Sequence, residues 1–462
     1  MKNILFDARN GYEKLFPLIA QKLDDNKYKC YYLTQNDNEK DFLILNFNID
    51  EDNIFCRASY IRENDVNEID IDNLKHLENV CKIPLWKVIY SDRFSEKYSY
   101  NDKLKYTYIH MKLFSEIYSE YNIDIFVSET ISFLSSYMAY LVGKLYDVQY
   151  IGYENARIDN RIFITSRPHS SPNSLEENYL KWKSKSNLDS ERKFLNDFKN
   201  NKTIPNYMSL AGGEMHTPLR NILGAIINLT VRRNVNKYDY ITKYLAYEAI
   251  GNLKKEIIFA LMYKQVEFCQ PDYNEKYILF PLHFQPEATT LTFATYFLDQ
   301  LQVIEALSKS IPINHVLYVK EHYAQLGSRK IDFYKKIKQY KNIKLIDPFI
   351  HSHELIQNSR IVVILTSTTG WETILYGKPL IVMGDIFYEY YKHANKVTDF
   401  TSLPTIIQKI INETYNEADI LQFIGAYLES TYKGCFVPSD KSCFSCENIE
   451  LLAKALLKEI EL

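Results

Sequence analysis

"LTSTTGWETILYGKPLIVMG", Leu365 to Gly384, decides how this chain is read. The apolar run "IVVIL" (Ile361 to Leu365) enters it and meets Thr366, Ser367, Thr368, Thr369 and Gly370. A short helix carrying Trp371 and Glu372 follows, then Gly377-Lys378-Pro379 and the apolar run "PLIVM". Short apolar runs bounded by turn residues read as strands buried on both faces. Two of them joined by a helix predict a parallel β-α-β unit. The turn between strand and helix is chemically unusual. A helix N-terminus presents unpaired N–H groups and partial positive charge. One hydroxyl suffices to cap it. A run of hydroxyls, with a glycine that lets backbone and ligand approach closely, predicts a phosphate cradle.

The same alternation extends outward. "KYILFPL", "HVLYVK" and "IKLI" read as further strands, separated by helices around Phe293 to Ser308, in "SRKIDFYKKIKQY" and in "HELIQNS". In the first third, "NILF", "KCYYL", "DFLIL", "IDIFVS" and "VQYIGY" read as strands. "GYEKLFPLIAQKL", "LKYTYIHMKLFSEIYSEY" and "SFLSSYMAYLVGKLY" read as helices. The pattern breaks near Ser166 in a polar stretch with Pro168 and Pro172. The expected organisation is an N-terminal domain over 1–165, a linker and helical segment over 166–270, a second α/β domain over 271–430 and a helical tail over 431–462. Met215 to Lys264 reads as helical, with Arg220, Arg232, Arg233, Lys237, Lys243, Lys254 and Lys255 against Glu214, Asp239, Glu248 and Glu256. This face is either ordinary solvated charge or a surface for anionic lipid or an anionic glycan.

Composition narrows the class. With 462 residues, 46% hydrophobic, 24% charged and a net charge of -3, the chain is globular and not a dedicated nucleic-acid binder. "MKNILFDARN" has too short an apolar run for a signal peptide, and no stretch approaches the ~20 apolar residues of a spanning helix. A cytoplasmic protein with reduced thiols is expected. Cys443 and Cys446 form one CxxC, with Cys435 nearby, but a zinc site needs more ligands than these supply, so no metal is expected. Asp70-Ile71-Asp72 and Asp50-Glu51-Asp52 read as surface charge.

Ligands of open parallel sheets sit beyond the carboxyl ends of the strands. There the second domain carries His283, Gln285 and Glu287 after "ILFPL", and Lys320, Glu321 and His322 at the end of "LYVK". With Ser367, Thr368, Thr369 and Gly370 they predict a nucleotide mono- or diphosphate site, with Lys320 and His322 as cationic or hydrogen-bonding partners. His351 and His353 flank Ser352, leaving both a helix cap and a base or ribose contact open. In the first domain Asp7, Glu129 and Glu154 stand at strand ends. Carboxylates so placed serve as general base, or as a nucleophile and acid pair; the alternative is a capping or ion-paired role.

These residues also carry a resemblance. "PLHFQPEATT", "YVKEH" and "STTGWETILYGKPLIVMG", in this order between Tyr277 and Tyr388, resemble the capsule polysaccharide biosynthesis family, which includes bacterial Kdo transferases of capsule assembly. "ENARIDNR" (Glu154 to Arg161) is similar to that family's segment before the linker. The resemblance implies a GT-B glycosyltransferase, with two Rossmann-like doubly wound domains facing a cleft, donor on the second and acceptor on the first. Glu372 matches a position that in many GT-B enzymes contacts the donor's ribose or sugar. The implied reaction moves Kdo or a nonulosonic acid from its CMP derivative to a glycan or lipid-linked glycan. The nucleotide sugar is a co-substrate, with no cofactor and no metal, and the basic helical face would touch the inner membrane peripherally. Members that use such donors often show His-Pro after the Lys-rich strand; here Tyr323 follows His322. A UDP- or GDP-sugar donor, a UDP-sugar epimerase and a non-catalytic glycan-binding protein are the alternatives.

Overall fold

The apolar runs alternate faces residue by residue, and both faces are covered. In the strand Lys2–Phe6 (β1), Ile4 and Phe6 join one core and Leu5 the other. In Ile125–Glu129 (β4), Ile125 and Val127 join the first and Phe126 the second. Burial on both sides is why these runs are continuously apolar rather than alternating. The structure, a computed structural model, describes residues 1–64, 68–201, 239, 258, 262–322 and 325–461. The basic residues from Arg220 to Lys255 lie outside the described residues.

The chain divides into two units. The first holds the described residues of Met1–Asn173, Leu229–Tyr247 and Thr431–Leu462. Its other strands are Tyr28–Thr34 (β2), Ile54–Cys56 (β3), Gln149–Asn155 (β5) and Arg161–Thr165 (β6), with the two-residue strand Tyr432–Lys433 at the edge. From that edge the order is Tyr432–Lys433, β6, β5, β4, β1, β2, β3. All neighbours are parallel except β5 with β6 and β6 with Tyr432–Lys433. β1 lies inside the sheet, and the chain runs outward from it first through β2 and β3, then on the other side through β4. The point where the order reverses is therefore the gap between β1 and β4.

The second unit holds the described residues of Ser174–Asn228 and Glu248–Ser430. Its sheet orders Ala394–Lys396 (β12), Leu380–Val382 (β11), Ile361–Ile364 (β10), Tyr277–Pro281 (β7), Val316–Lys320 (β8) and Ile343–Ile346 (β9). All pairs are parallel. Ile278 and Phe280 face a core with Val303, Ile304, Leu307 and Ile407. Tyr277 stacks on Tyr318 at 4.0 Å and donates to the Leu355 carbonyl. Here the order reverses between β7 and β10.

Three departures from the sequence reading have clear causes. "DFLIL" lies in the helix Asp37–Phe47, because Asn36 caps it by accepting from the Glu39 N–H. Thr431–Leu462 is no separate tail. Ile449, Leu452, Leu456 and Ile460 of the helix Cys446–Glu461 fill the first unit's core, and Tyr153 donates to the Leu452 carbonyl at 2.9 Å. The helix Leu175–Trp182, expected in a linker, belongs to the second unit. Trp182 seats its ring where a Cβ on Gly425 would come within 2.0 Å, and its Nε1 donates to Glu429.

Candidate functional site

In the second unit, β7, β8 and β10 are neighbours and end side by side, which brings His283, Lys320 and the turn Thr366–Gly370 to one end of the sheet. His283 spans the reversal point. Its Nε2 accepts the Leu365 and Thr366 N–H groups, each at 3.2 Å. Burial, then the charges of His322 and Arg329, push its pKa down to about 3, so the ring is neutral. A neutral imidazole that accepts at Nε2 carries its proton at Nδ1. That Nδ1 is buried and has no hydrogen-bond partner among the described residues. Among the described residues this N–H donor has no acceptor, at the place where an α/β sheet binds its ligand.

The hydroxyl turn is partly self-satisfied. Ser367 caps the helix Thr368–Leu375 by accepting from the Thr369 N–H, and its hydroxyl donates to the Thr369 hydroxyl. Tyr388 donates to the Ser367 carbonyl at 2.7 Å. A Cβ on Gly370 would stand 2.5 Å from the Tyr388 ring, so this glycine makes room for a tyrosine. The Thr366 hydroxyl is buried and unpartnered among the described residues.

Lys320 is buried, with Nζ donating to the Pro348 carbonyl at 3.0 Å. Burial pulls its pKa down to about 8 against the opposing charges of Glu321, Asp347 and Glu372. Glu372, half-buried one turn into the helix, is pushed by desolvation up to about 7, with Lys320 as its opposing charge. The pair can therefore change charge near neutral pH. Burial, Lys320 and Arg329 bring His322 down to about 4, and its ring lies 5.9 Å from Phe284. Neither histidine is a cation at neutral pH. Gln285 sits in an amide network, accepting from Gln300 and donating to the Leu298 carbonyl, and Glu287 is exposed before the helix Ala288–Phe293. The sequence reading missed Arg329, which donates to the His283 carbonyl at 2.8 Å and pairs with Glu321 at 3.1 Å. His353 is buried against the Tyr376 hydroxyl and His351 is exposed.

In the first unit the reversal point carries a charge cluster. Asp7, just after β1, pairs with Arg57 at 2.7 Å and with Arg9 at 3.1 Å and accepts from Ser128 at 3.0 Å. Burial pushes its carboxyl up, but Arg57 and Arg9 outweigh that and hold it below the ordinary range. Arg9 also donates to Glu129 at 2.7 Å and lies 4.1 Å over the Phe133 ring. Glu129, at the end of β4, accepts a second bond from Ser132 at 3.1 Å. Unlike Asp7 it keeps access to solvent: its side chain is 27% exposed against 1%. Arg9 and Arg57 were invisible as site residues because charged residues rarely go fully inside; the one hint was "DAR" directly after a buried strand. Glu154, on β5, is buried. Desolvation raises its pKa against Arg157, and Oε2 has no hydrogen-bond partner among the described residues while Oε1 accepts from Ser170.

The Asp-x-Asp matches serve as caps. Asp70 accepts from the Asn73 N–H at 3.0 Å and Asp50 from the Asp52 N–H at 3.1 Å. Cys443 is buried, its thiol donating to the Cys435 carbonyl, and Cys446 is exposed.

Residues 163–392, about half of the chain, match the family model described as capsule polysaccharide biosynthesis protein. This half of the chain belongs to the capsule polysaccharide biosynthesis family. The family span includes His283, Lys320, His322 and the hydroxyl turn, and leaves Asp7, Glu129 and Glu154 outside. Among solved structures, a KpsC beta Kdo 2,7 transferase of Thermosulfurimonas dismutans aligns at 12% identity, over 82% of this chain and 98% of that one, with a TM-score of 0.35. The beta Kdo 2,4 transferase of the same KpsC aligns at 12%, over 68% and 85%, with 0.32. A UDP-GlcNAc 2-epimerase of Methanocaldococcus jannaschii aligns at 12%, over 93% and 99%, with 0.27. Superpositions at these scores fix no function. No curated protein matches the sequence. Among the described residues no helix is long and apolar enough to cross a membrane.

Proposed function

We propose that this chain is a GT-B glycosyltransferase of capsule or surface polysaccharide synthesis, moving an acidic ulosonic sugar from its CMP derivative to a glycan acceptor. One observation carries the reading: the Nδ1–H donor of His283, buried and without an acceptor among the described residues, at the reversal point of the family-matched sheet. A buried donor left unsatisfied costs about 1–3 kcal/mol, which a ligand oxygen would recover. Thr366, Lys320 and Glu372 supply a hydroxyl, a cation and a carboxyl at the same strand ends. Fixed donors and one cation stabilise a departing phosphate without a metal.

For the acceptor, Glu129 is the base we favour. It is accessible, and Arg9 and Ser132 hold its Oε1. Glu154, with its raised pKa and an Oε2 that has no partner among the described residues, suits a proton donor. Asp7 is locked between two guanidinium groups, and its part is to position Arg9. A thermal-shift series with CMP, CDP, UDP, GDP and dTDP tests the reading. A cytidine nucleotide at 100 times its dissociation constant should add about 2.7 kcal/mol of stability. A series in which none of the five moves the melting temperature would remove the nucleotide site.

A further inference from the structure

Two thiols of the first unit meet where the sequence motif does not point. The motif is Cys443-x-x-Cys446, but Cys446 is exposed at the start of the helix Cys446–Glu461 while Cys443 is buried. The neighbour of Cys443 is Cys435, eight residues earlier. One side chain on that helix holds the two together. Asn448 accepts from the Cys435 N–H at 2.7 Å, and donates to the Cys435 carbonyl at 2.9 Å and to the Cys443 carbonyl at 2.8 Å. Both backbones are therefore fixed on one amide, and the Cys443 Sγ lies 3.3 Å from the Cys435 carbonyl oxygen. The Cys443 S–H reaches both that carbonyl and the Cys435 sulfur. Both cysteines are reduced.

The two sulfurs differ in kind. Cys435 is half-buried, and its sulfur also has the Ser442 hydroxyl and the Val437 N–H as donors. The Cys443 thiol, joined by Ser442 and Val437, holds Cys435 below the ordinary thiol range against its burial and the charge of Asp440. The same contact, followed by burial, pushes Cys443 up, so Cys443 keeps its proton. The thiolate, not the thiol, is the nucleophile. A half-exposed thiolate backed by a buried thiol is the arrangement of an attacking and a resolving cysteine. The loop between them carries Phe436, which stacks on Tyr153 at 4.7 Å and on Tyr12 at 4.8 Å. Tyr12 opens the helix that follows Asp7 and Arg9, and Asn155 holds the Phe436 backbone through both its N–H and its carbonyl. All of this lies outside the family-matched residues 163–392.

We propose that Cys435 and Cys443 form a thiol–disulfide exchange site whose co-reactant is a small organic disulfide. The site goes beyond the transferase reading and does not rest on it. The Cys435 thiolate attacks one sulfur of the small disulfide and expels the other half as a thiolate. The mixed disulfide removes the negative charge that Cys443 faced, so Cys443 releases its proton to that thiolate. The Cys443 sulfur then attacks Cys435 Sγ and expels the second half. The protein loses two thiols and gains one S–S bond. The small disulfide is reduced to two thiols, which take up the two protein protons, one by way of water. Full-length protein, reduced and freed of reductant, is incubated with glutathione disulfide, quenched in acid and alkylated, and its intact mass is measured. Two of its seven cysteines should escape alkylation with no glutathione attached. Trypsin cuts after Lys433, Lys441 and Lys454, so the bond should join the peptides Gly434–Lys441 and Ser442–Lys454. Cys435→Ser should lose that linked pair, Cys443→Ala should stop with glutathione on Cys435, and Cys446→Ser should behave as the wild type. Cys446 is exposed, so its variant decides even where the buried Cys443→Ala does not fold. Seven alkylated cysteines in the wild type, a bond formed only inside Ser442–Lys454, or loss of the linked pair in Cys446→Ser overturns the site.

Discussion

His283 shows how one residue can be structural at one atom and functional at the other. Its Nε2 holds the turn, and its Nδ1–H has no acceptor among the described residues. His283→Gln keeps an acceptor for the turn and removes the directed donor. Nucleotide affinity should fall about tenfold or more, the value of a hydrogen bond to a charged group, which calorimetric titration reads. The pH dependence has a definite sign. The folded pKa of about 3 lies below the ordinary 6.5, so this histidine's stabilisation is complete above about pH 6.5 and is lost as pH falls toward 3. Each unit in that window costs about 1.4 kcal/mol. Urea midpoints should therefore show the Gln variant gaining on the wild type as pH drops from 6.5 to 4.5; a constant difference would mean the ring is charged when folded.

Asp7 and Glu129 make the opposite pair of expectations. Asp7→Asn leaves Arg9 and Arg57 buried without their shared counter-charge, which costs about 3–5 kcal/mol. Glu129 is accessible, so Glu129→Gln should keep near-normal stability and lose turnover, as a base variant does. Melting temperature and rate per folded molecule separate the two. If Glu129→Gln unfolds the protein and Asp7→Asn does not, their parts are reversed.

At the scale of elements, the buried strands were legible because continuous apolar runs have few other uses. β3, β6, β12 and the edge strand Tyr432–Lys433 were not, being short or polar, with pairing that depends on distant partners. The hydroxyl turn was found from its composition, but its interior was not. Gly370 reads in sequence as a place for a ligand, whereas Tyr388 occupies that space. Gly370→Ala should accordingly destabilise by about 1–3 kcal/mol through overpacking. A double-mutant cycle with Tyr388→Leu should recover most of that, because the two share one contact. Full additivity would show that the ring is not what the methyl meets.

At the scale of the whole molecule, strand order was the missing information. A sequence gives which residues end strands but not which strands are neighbours. The reversal points between β1 and β4 and between β7 and β10 therefore appear only in the folded sheets. Among the described residues, one core cluster gathers Phe6, Phe16, Tyr153 and Leu452 of the first unit, and another Phe280, Val319, Val363 and Leu307 of the second. That separation predicts two unfolding transitions with different sensitivities. Leu452 is fully buried in the first unit, so Leu452→Ala should cost about 2–5 kcal/mol there. The bound nucleotide touches only the second unit's residues in our reading, so at 100 times its dissociation constant it should add about 2.7 kcal/mol to the other transition alone. Calorimetry of the wild type and the Leu452→Ala variant, each with and without CMP, makes the comparison. The mutation should lower one transition and the ligand raise the other, with the two shifts independent. A single transition that both perturbations move would mean that the units unfold together, and a ligand shift confined to the Leu452 transition would place the nucleotide on the first unit.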